Sequence, residues 1–280
     1  MKNIRPEPPA LNNDSYLIDT HCHLDMTSYN EDFADVLERA DRNRIKRIVS
    51  IGIDLDSSKR AIILARKYQQ ISATIGIHPH DVENTTDEDY ALLEQMFTKN
   101  EKHIVGYGEI GLDYVKNYSS IEKQQEHFER QLNLAGKLNL PIIIHNRDAD
   151  SDTLNILKKS KSLPRTGIMH CFSGDYAFAC KVLDLGLLIS IPGIVTFKNA
   201  TTLQEVAKKI PLTSLVLETD GPFLAPHPYR GKRNEPSLML YTAGKIAELR
   251  NIPIEKVARQ TSLNSEKLFQ FDNGNSHNDI

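Results

Sequence analysis

Three things are scarce in this 280-residue sequence, and each scarcity closes off a class of protein. The three cysteines, Cys22, Cys171 and Cys180, are an odd number and show no Cys-x-x-Cys spacing. That excludes a disulfide framework and a thiolate zinc knuckle, and it fits a reducing, cytoplasmic compartment. No run approaches the roughly 18 uninterrupted apolar residues that a membrane helix requires, so no membrane partner is expected. Residues 1–16, with Pro6, Pro8 and Pro9, lack the apolar stretch of a signal peptide and are expected to form a loose extension. Positive charge is not in excess either. The net charge is −3, so no global field draws in nucleic acid, and such a partner has to be met by a local cationic patch.

What is present is alternation. Short apolar runs at 17–20, 46–52, 72–77, 103–108, 141–145, 166–170, 187–191 and 215–219 read as strands. Between them lie amphipathic stretches at 31–43, 57–69, 87–99, 121–139, 149–160, 175–185 and 201–209, with further helical segments around 237–249 and 254–260. Eight strand units, each followed by a helix, predict an α/β protein of the (β/α)8 TIM-barrel type spanning 17–270 as one domain. An open doubly wound sheet is the alternative, because periodicity alone does not show closure. Residues 271–280 read as a polar tail.

Ligand-capable side chains recur where these strands end. His21 and His23 follow the first strand and share parity, so both leave it on one side. Alone, such a pair is more often a surface or core accident than a metal site. His145 and His170, however, end the buried runs 142–144 and 167–169, and an imidazole buried without a partner is costly. Glu109 lies in Gly-Tyr-Gly-Glu-Ile-Gly-Leu-Asp (106–113), where flanking glycines permit close approach and a carboxylate can bridge two cations. Asp220 ends the eighth run and needs a cation or several donors to stay charged. In a barrel these ends form one rim, so His21, His23, Glu109, His145, His170 and Asp220 are expected to meet as metal ligands. Glu218 and Asp19 share strand parity with ligands and read either as orienters behind them or as structural ion pairs. His78 is expected on the substrate side, His80 to be a contact of the same kind or a plain loop residue, and Cys22 and Cys171 to serve packing.

The cationic candidates are Arg147, two residues past His145, and the loop 225–236, which carries Tyr229, Arg230, Lys232 and Arg233. Tyr229, Arg230 and Arg233 with Arg147 would grip a phosphate backbone or an exposed base, the competing reading being a solvated loop. Four histidines and two carboxylates exceed one tetrahedral ion and suit two divalent ions sharing Glu109. Such a pair generates hydroxide from bound water at neutral pH. No serine or cysteine nucleophile with a base partner is apparent, and no dinucleotide-binding fingerprint follows the first strand. Hydrolysis is the reading; phosphodiester, carboxylic ester and amide bonds all remain open at this point.

The phrases Ile-Asp-Thr-His-Cys-His-Leu-Asp (18–25), Gly-Ile-His-Pro-His (76–80), Gly-Glu-Ile-Gly-Leu-Asp-Tyr (108–114), Pro-Ile-Ile-Ile-His-Asn-Arg (141–147), His-Cys-Phe-Ser-Gly (170–174) and Glu-Thr-Asp-Gly-Pro (218–222) occur in this order. Together they resemble the TatD family of metal-dependent deoxyribonucleases, within the amidohydrolase superfamily. The resemblance runs from about residue 17 to about residue 270. It implies a TIM barrel, the six metal ligands above, and hydrolysis of DNA, often as an exonuclease on single strands or 3′ ends. Asp220 would handle the proton of a metal-bound hydroxide attacking phosphorus, and the ions would be Mg, Mn or Zn. Family members often carry a second aromatic after Leu-Asp-Tyr, where this sequence has Val115, which puts base stacking at that spot in doubt. An aminoacyl-tRNA ester deacylase on the same site is the first alternative. A small-molecule amidohydrolase would give the basic loop no work, and a nucleic-acid binding module with a structural metal would need only one closed site.

Overall fold

The eight apolar runs become eight parallel strands of one sheet in sequential order. They are β1 (Leu17–Cys22), β2 (Ile45–Ser50), β3 (Ile71–Ile75), β4 (Ile104–Asp113), β5 (Ile142–Arg147), β6 (Gly167–Met169), β7 (Leu188–Ile191) and β8 (Leu215–Leu217). Helices α1 (Phe33–Arg42), α2 (Leu55–Lys67), α3 (Asp87–Asn100), α4 (Ile121–Lys137), α5 (Asp150–Lys159), α6 (Tyr176–Asp184), α7 (Thr201–Lys209), α8 (Met239–Arg250) and α9 (Ile254–Phe269) alternate with them. The computed structural model describes residues 7–116, 118–160 and 166–271. The sheet closes on itself just beyond the last strand: the His23 N–H donates to the Gly221 carbonyl at 2.7 Å and the Asp220 N–H to the His21 carbonyl at 2.9 Å. The architecture is a (β/α)8 barrel, and the doubly wound alternative falls on that closure.

Two apolar layers follow from the strand pleat. Ile18, Val49, Val105, Ile143, Ile168 and Val216 come from six strands and meet with Leu268, Phe269 and Phe271, which places them inside the barrel with the end of α9 as its plug. The larger layer joins the outer strand faces to the helices, for example Ile48 and Ala73 to Ala61 and Ala65 of α2. That helix is stopped at its start by Asp54, whose carboxylate accepts the Ser57 N–H at 2.6 Å.

Simple alternation does not survive in the two strands that matter most. Register shifts fall between Asp19 and Cys22 in β1 and between Tyr107 and Ile110 in β4. Ile18 and Cys22 share parity, yet Ile18 belongs to the inner layer and Cys22 to the outer one. An extra residue in a strand re-aims the side chains beyond it, and here it turns His21 and His23 inward. Strand β4 also runs on to Asp113 instead of ending near 108, so Glu109 sits mid-strand rather than after it. The glycines of β4 make this possible. A Cβ on Gly108 would lie 2.4 Å from the Ile143 carbonyl oxygen and one on Gly111 2.0 Å from that of His145, and both residues have φ near +140°. The close approach is of backbone to backbone, onto the neighbouring strand β5.

Three boundaries differ from the sequence expectation. Helix α9 continues to Phe269, because Thr261 and Ser265 turn their hydroxyls back onto the Val257 and Thr261 carbonyls and so sit buried where an apolar stripe was sought. Residues 7–16 are not a loose extension: the Ser262 hydroxyl donates to the Tyr16 carbonyl at 2.9 Å, and Leu11 packs on the outer layer. Phe271, assigned to the tail, is buried beneath the Arg47 guanidinium, 4.9 Å from its ring centroid. Residues 1–6 and 272–280 lie outside the described residues. Among the described residues no helix is long and apolar enough to cross a membrane.

Gly111→Ala combines a left-handed φ with a backbone overlap, each a cost of about 1–3 kcal/mol. The variant should lose at least about 2 kcal/mol of unfolding free energy in urea titration; a loss under about 1 kcal/mol would show that β5 can move away.

Candidate metal centre

Six strands deliver the polar groups of one cluster. Glu109, from β4, lies at its middle, with each carboxylate oxygen facing a different set of histidines. Oε2 is 3.4 Å from His21 Nε2 and 4.0 Å from His23 Nε2. Oε1 is 2.8 Å from His145 Nδ1, 3.4 Å from His170 Nε2 and 3.5 Å from His78 Nε2. Asp220, in the left-handed region at φ 55°, closes the first set: its Oδ1 is 3.4 Å from His23 Nε2 and 3.8 Å from His21 Nε2. The two Nε2 atoms of His21 and His23 are themselves 3.3 Å apart.

The donor set fits divalent metal. Two donors about 2.1 Å from a tetrahedrally ligated ion stand about 3.4 Å from each other, which matches the 3.3–3.4 Å separations of His21 with His23, His21 with Glu109 and His23 with Asp220. Imidazole nitrogen and carboxylate oxygen are the ligands zinc and manganese take, and magnesium favours the carboxylates. Among the described residues no lysine or arginine pairs with Glu109 or Asp220, so the charge of these two carboxylates is met by imidazoles. Burial pushes the Glu109 carboxyl up, but the charges of His170 and His78 and the hydrogen bonds from His145 and His21 outweigh it and hold it well below the usual range. Asp220 is likewise held low, with burial opposed by His23, His170 and His21. Both are ionised at neutral pH.

Behind the ligand atoms stand two carboxylates with different tasks. Glu218 Oε2 lies 3.0 Å from His170 Nδ1, and its other oxygen accepts the Cys171 N–H at 2.7 Å. Asp19 does not touch the His21 ring. It accepts the N–H groups of Thr219 at 3.0 Å and His21 at 3.3 Å, and the Thr219 hydroxyl at 2.5 Å, thereby tying β1 to β8. The His21 and His23 Nδ1 atoms are buried without a hydrogen-bond partner.

Some assignments move. His78 is not out toward a substrate; it is buried and shares Glu109 Oε1 with His145. Cys171 is not packing but half-buried, with its thiol among the ligand-capable atoms of His170 and Asp220, whereas Cys22 is fully buried as expected. Arg233, expected on phosphate, makes a two-pronged bond to Asp32 at 2.7 Å for each nitrogen and donates to the Ser28 carbonyl, because the loop returns across the α1 side of the barrel. Tyr229 is half-buried against Tyr241, centroids 5.7 Å apart. Arg230 is exposed, its guanidinium 4.8 Å over Phe197, and Lys232 and Arg147 are exposed as well.

Sequence reading missed Asp113. Its Oδ2 meets His80 Nε2 at 2.9 Å and His145 Nε2 at 3.2 Å, while its Oδ1 accepts the Val115 and Lys116 N–H groups, each at 2.9 Å. The signal was available: Asp113 lies four residues after Glu109 in one strand and therefore on the same face. His80 is accordingly a fixed wall of the site.

Comparison with known proteins agrees with this geometry. The profile of the family described as TatD related DNase matches residues 18–270. The chain is 44% identical over 256 residues to YabD of Bacillus subtilis strain 168, an uncharacterized metal-dependent hydrolase, covering 91% of this chain and 100% of that one. It is 37% identical over 261 residues to YcfH of Escherichia coli K12, named in the same words, covering 92% and 97%. The crystal structure of YjjV, a TatD homolog from Escherichia coli K12, superposes with a TM-score of 0.86 at 33% identity, covering 91% of this chain and 98% of that one.

Burial lowers the His78 imidazole from its ordinary 6.5 to about 4, against the opposing pull of Glu109. The unfolded chain therefore takes up a proton at His78 in a pH range where the fold refuses it, and acid favours unfolding there. For metal-depleted protein, His78→Asn should make stability fall less steeply between about pH 6.5 and about pH 4, by up to one proton or about 1.4 kcal/mol per pH unit. Denaturation curves across that range measure it; parallel slopes would remove His78 as the source.

Proposed function

The chain belongs to the TatD-related DNase family of metal-dependent hydrolases, and we propose that it hydrolyses DNA phosphodiester bonds with two divalent ions, on single strands or at 3′ ends. The observation that carries the reading is Glu109, whose two oxygens address separate sets of imidazoles. His21, His23 and Asp220 with Oε2 would hold one ion, and His145 and His170 with Oε1 the other. Bound Mg, Mn or Zn supplies the positive charge that polarises a phosphoryl oxygen and acidifies water. The residues of the chain do the rest. Asp220, ionised and nearer the opening than Glu109, accepts the proton of the attacking water at its carboxylate. His80 and His145 share Asp113, which fixes both rings before substrate arrives. Arg147, Arg230 and Lys232 hold the flanking phosphates, and the stacking of Arg230 on Phe197 leaves its guanidinium edge free to pair. The three free thiols suit a cytoplasmic setting.

Metal-reconstituted protein should shorten end-labelled single-stranded DNA, and Glu109→Ala or Asp220→Ala should abolish the ladder, a loss on the order of a thousandfold or more. Absence of shortening with Mg, Mn and Zn, together with release of amino acid from charged tRNA, would replace the nuclease reading by ester deacylation.

Arg147→Ala should weaken DNA binding for all sequences alike and reduce the salt slope by about one. Arg233→Ala should leave that slope unchanged and lower thermal stability instead. Fluorescence anisotropy across a salt series separates them, and a reduced slope for Arg233→Ala would return it to the substrate.

A further inference from the structure

Two aromatic rings stand at the mouth of the site without an apolar reason to be there. Phe223 follows Asp220-Gly221-Pro222 beyond β8 and is 49% exposed; its ring meets that of His23 at 70°, centroids 6.0 Å apart. Tyr118 lies beyond β4 and is 65% exposed; its ring meets that of His80 at 77° and 4.9 Å. Neither belongs to either apolar layer. Strands β4 and β8 are four places apart in an eight-stranded barrel, so the two rings stand on opposite sides of the rim.

One exposed aromatic is ordinary. Two, on opposite sides of one metal-capable cluster and each set nearly perpendicular to a histidine of its wall, form a pair that leaves about half or more of each residue's surface open to solvent. The exposed cations around the same rim, Arg147, Arg230 and Lys232, make the complementary ligand a polyanion that also carries flat apolar groups. A nucleic-acid strand is such a ligand, since every base has a π face, and stacking on protein aromatics needs no particular sequence. Val115, next to Tyr114, offers only an aliphatic surface; Tyr118, three residues on, supplies a ring instead.

We propose that Phe223 and Tyr118 stack the nucleobases on the two sides of the scissile phosphate, so that the site accepts a strand only where both bases are free of a duplex. The inference rests on the nuclease reading above and specifies what that site selects.

The test measures kcat and KM on a short single-stranded oligonucleotide, and on versions with a tetrahydrofuran abasic residue at each position in turn. The proteins are wild type, Phe223→Ala, Tyr118→Ala and the ring-keeping Phe223→Trp and Tyr118→Phe, with metal content matched by atomic emission. Each alanine variant should lose about ten- to a hundredfold in kcat/KM, mostly through KM, as expected for one lost base stack. The ring-keeping variants should retain activity. In wild type, abasic residues on either side of the cleaved bond should reproduce the losses, and on those substrates the matching alanine variant should lose nothing more. Cleavage by wild type with unchanged alanine variants, or losses that ignore the abasic position, would overturn the base-stacking proposal and leave the nuclease standing. No cleavage of any DNA by metal-loaded wild type would remove both.

Discussion

A single carboxylate imposes the conditions that the rest of the barrel satisfies. Glu109 lies within 4.0 Å of five imidazoles and pairs with no lysine or arginine among the described residues. Placing an ionised group there is costly unless cations or several donors surround it. The histidines have to arrive from four other strands, and β4 has to lie hard against β5. The bare backbones of Gly108 and Gly111 permit that approach, and the irregular register between Tyr107 and Ile110 turns the carboxylate inward. An alanine at Gly108 or Gly111 would force β4 away from β5, and with it Glu109 away from His145.

The seam where the barrel closes is built from the same residues. His21 and His23 bond through their backbones to Asp220 and Gly221, and Asp19 bonds to Thr219, so the closing contact and the first ligand set are one structure. Separation of β1 from β8 would move His21 and His23 away from Asp220 directly. Rigidity at this seam therefore serves geometry: ligand atoms spaced for an ion before it arrives need not be gathered from flexible loops. Glu218 extends the logic to His170, orienting the ring with one oxygen and anchoring the next peptide with the other.

Much of this was legible because strand ends and ligand types coincide. Alternating runs named the fold, and histidines closing apolar strands named the cluster, since a buried imidazole needs a reason. What the sequence hid lies in departures from regularity. Period-two reasoning places His21 and His23 on one face but not on which one; the extra residue in β1 decides it. The reach of β4 to Asp113 was masked by its glycines, which interrupt the apolar run after residue 108. Polar Thr261 and Ser265 concealed the second half of α9 by bonding to their own helix. Arg233 shows the reverse error: its charge pattern suggested phosphate, whereas its partners, Asp32 and the Ser28 carbonyl, lie about 200 residues away in sequence and could not be paired without the fold.

Exposure across the cluster is graded, and the gradient orders the chemistry. His21 is 1% exposed and Glu109 5%, while Asp220 reaches 13%, His145 18% and His80 26%. Groups at the closed end lose water and hold their positions; groups at the open end keep contact with it. A base that must take a proton from water and return it to solvent belongs on the open side, and of the two ionised carboxylates only Asp220 is there. In the proposed reaction Glu109 would therefore divide the two donor sets and Asp220 would exchange the proton. Beyond the cluster, the Tyr118 ring meets His80 and the Phe223 ring meets His23.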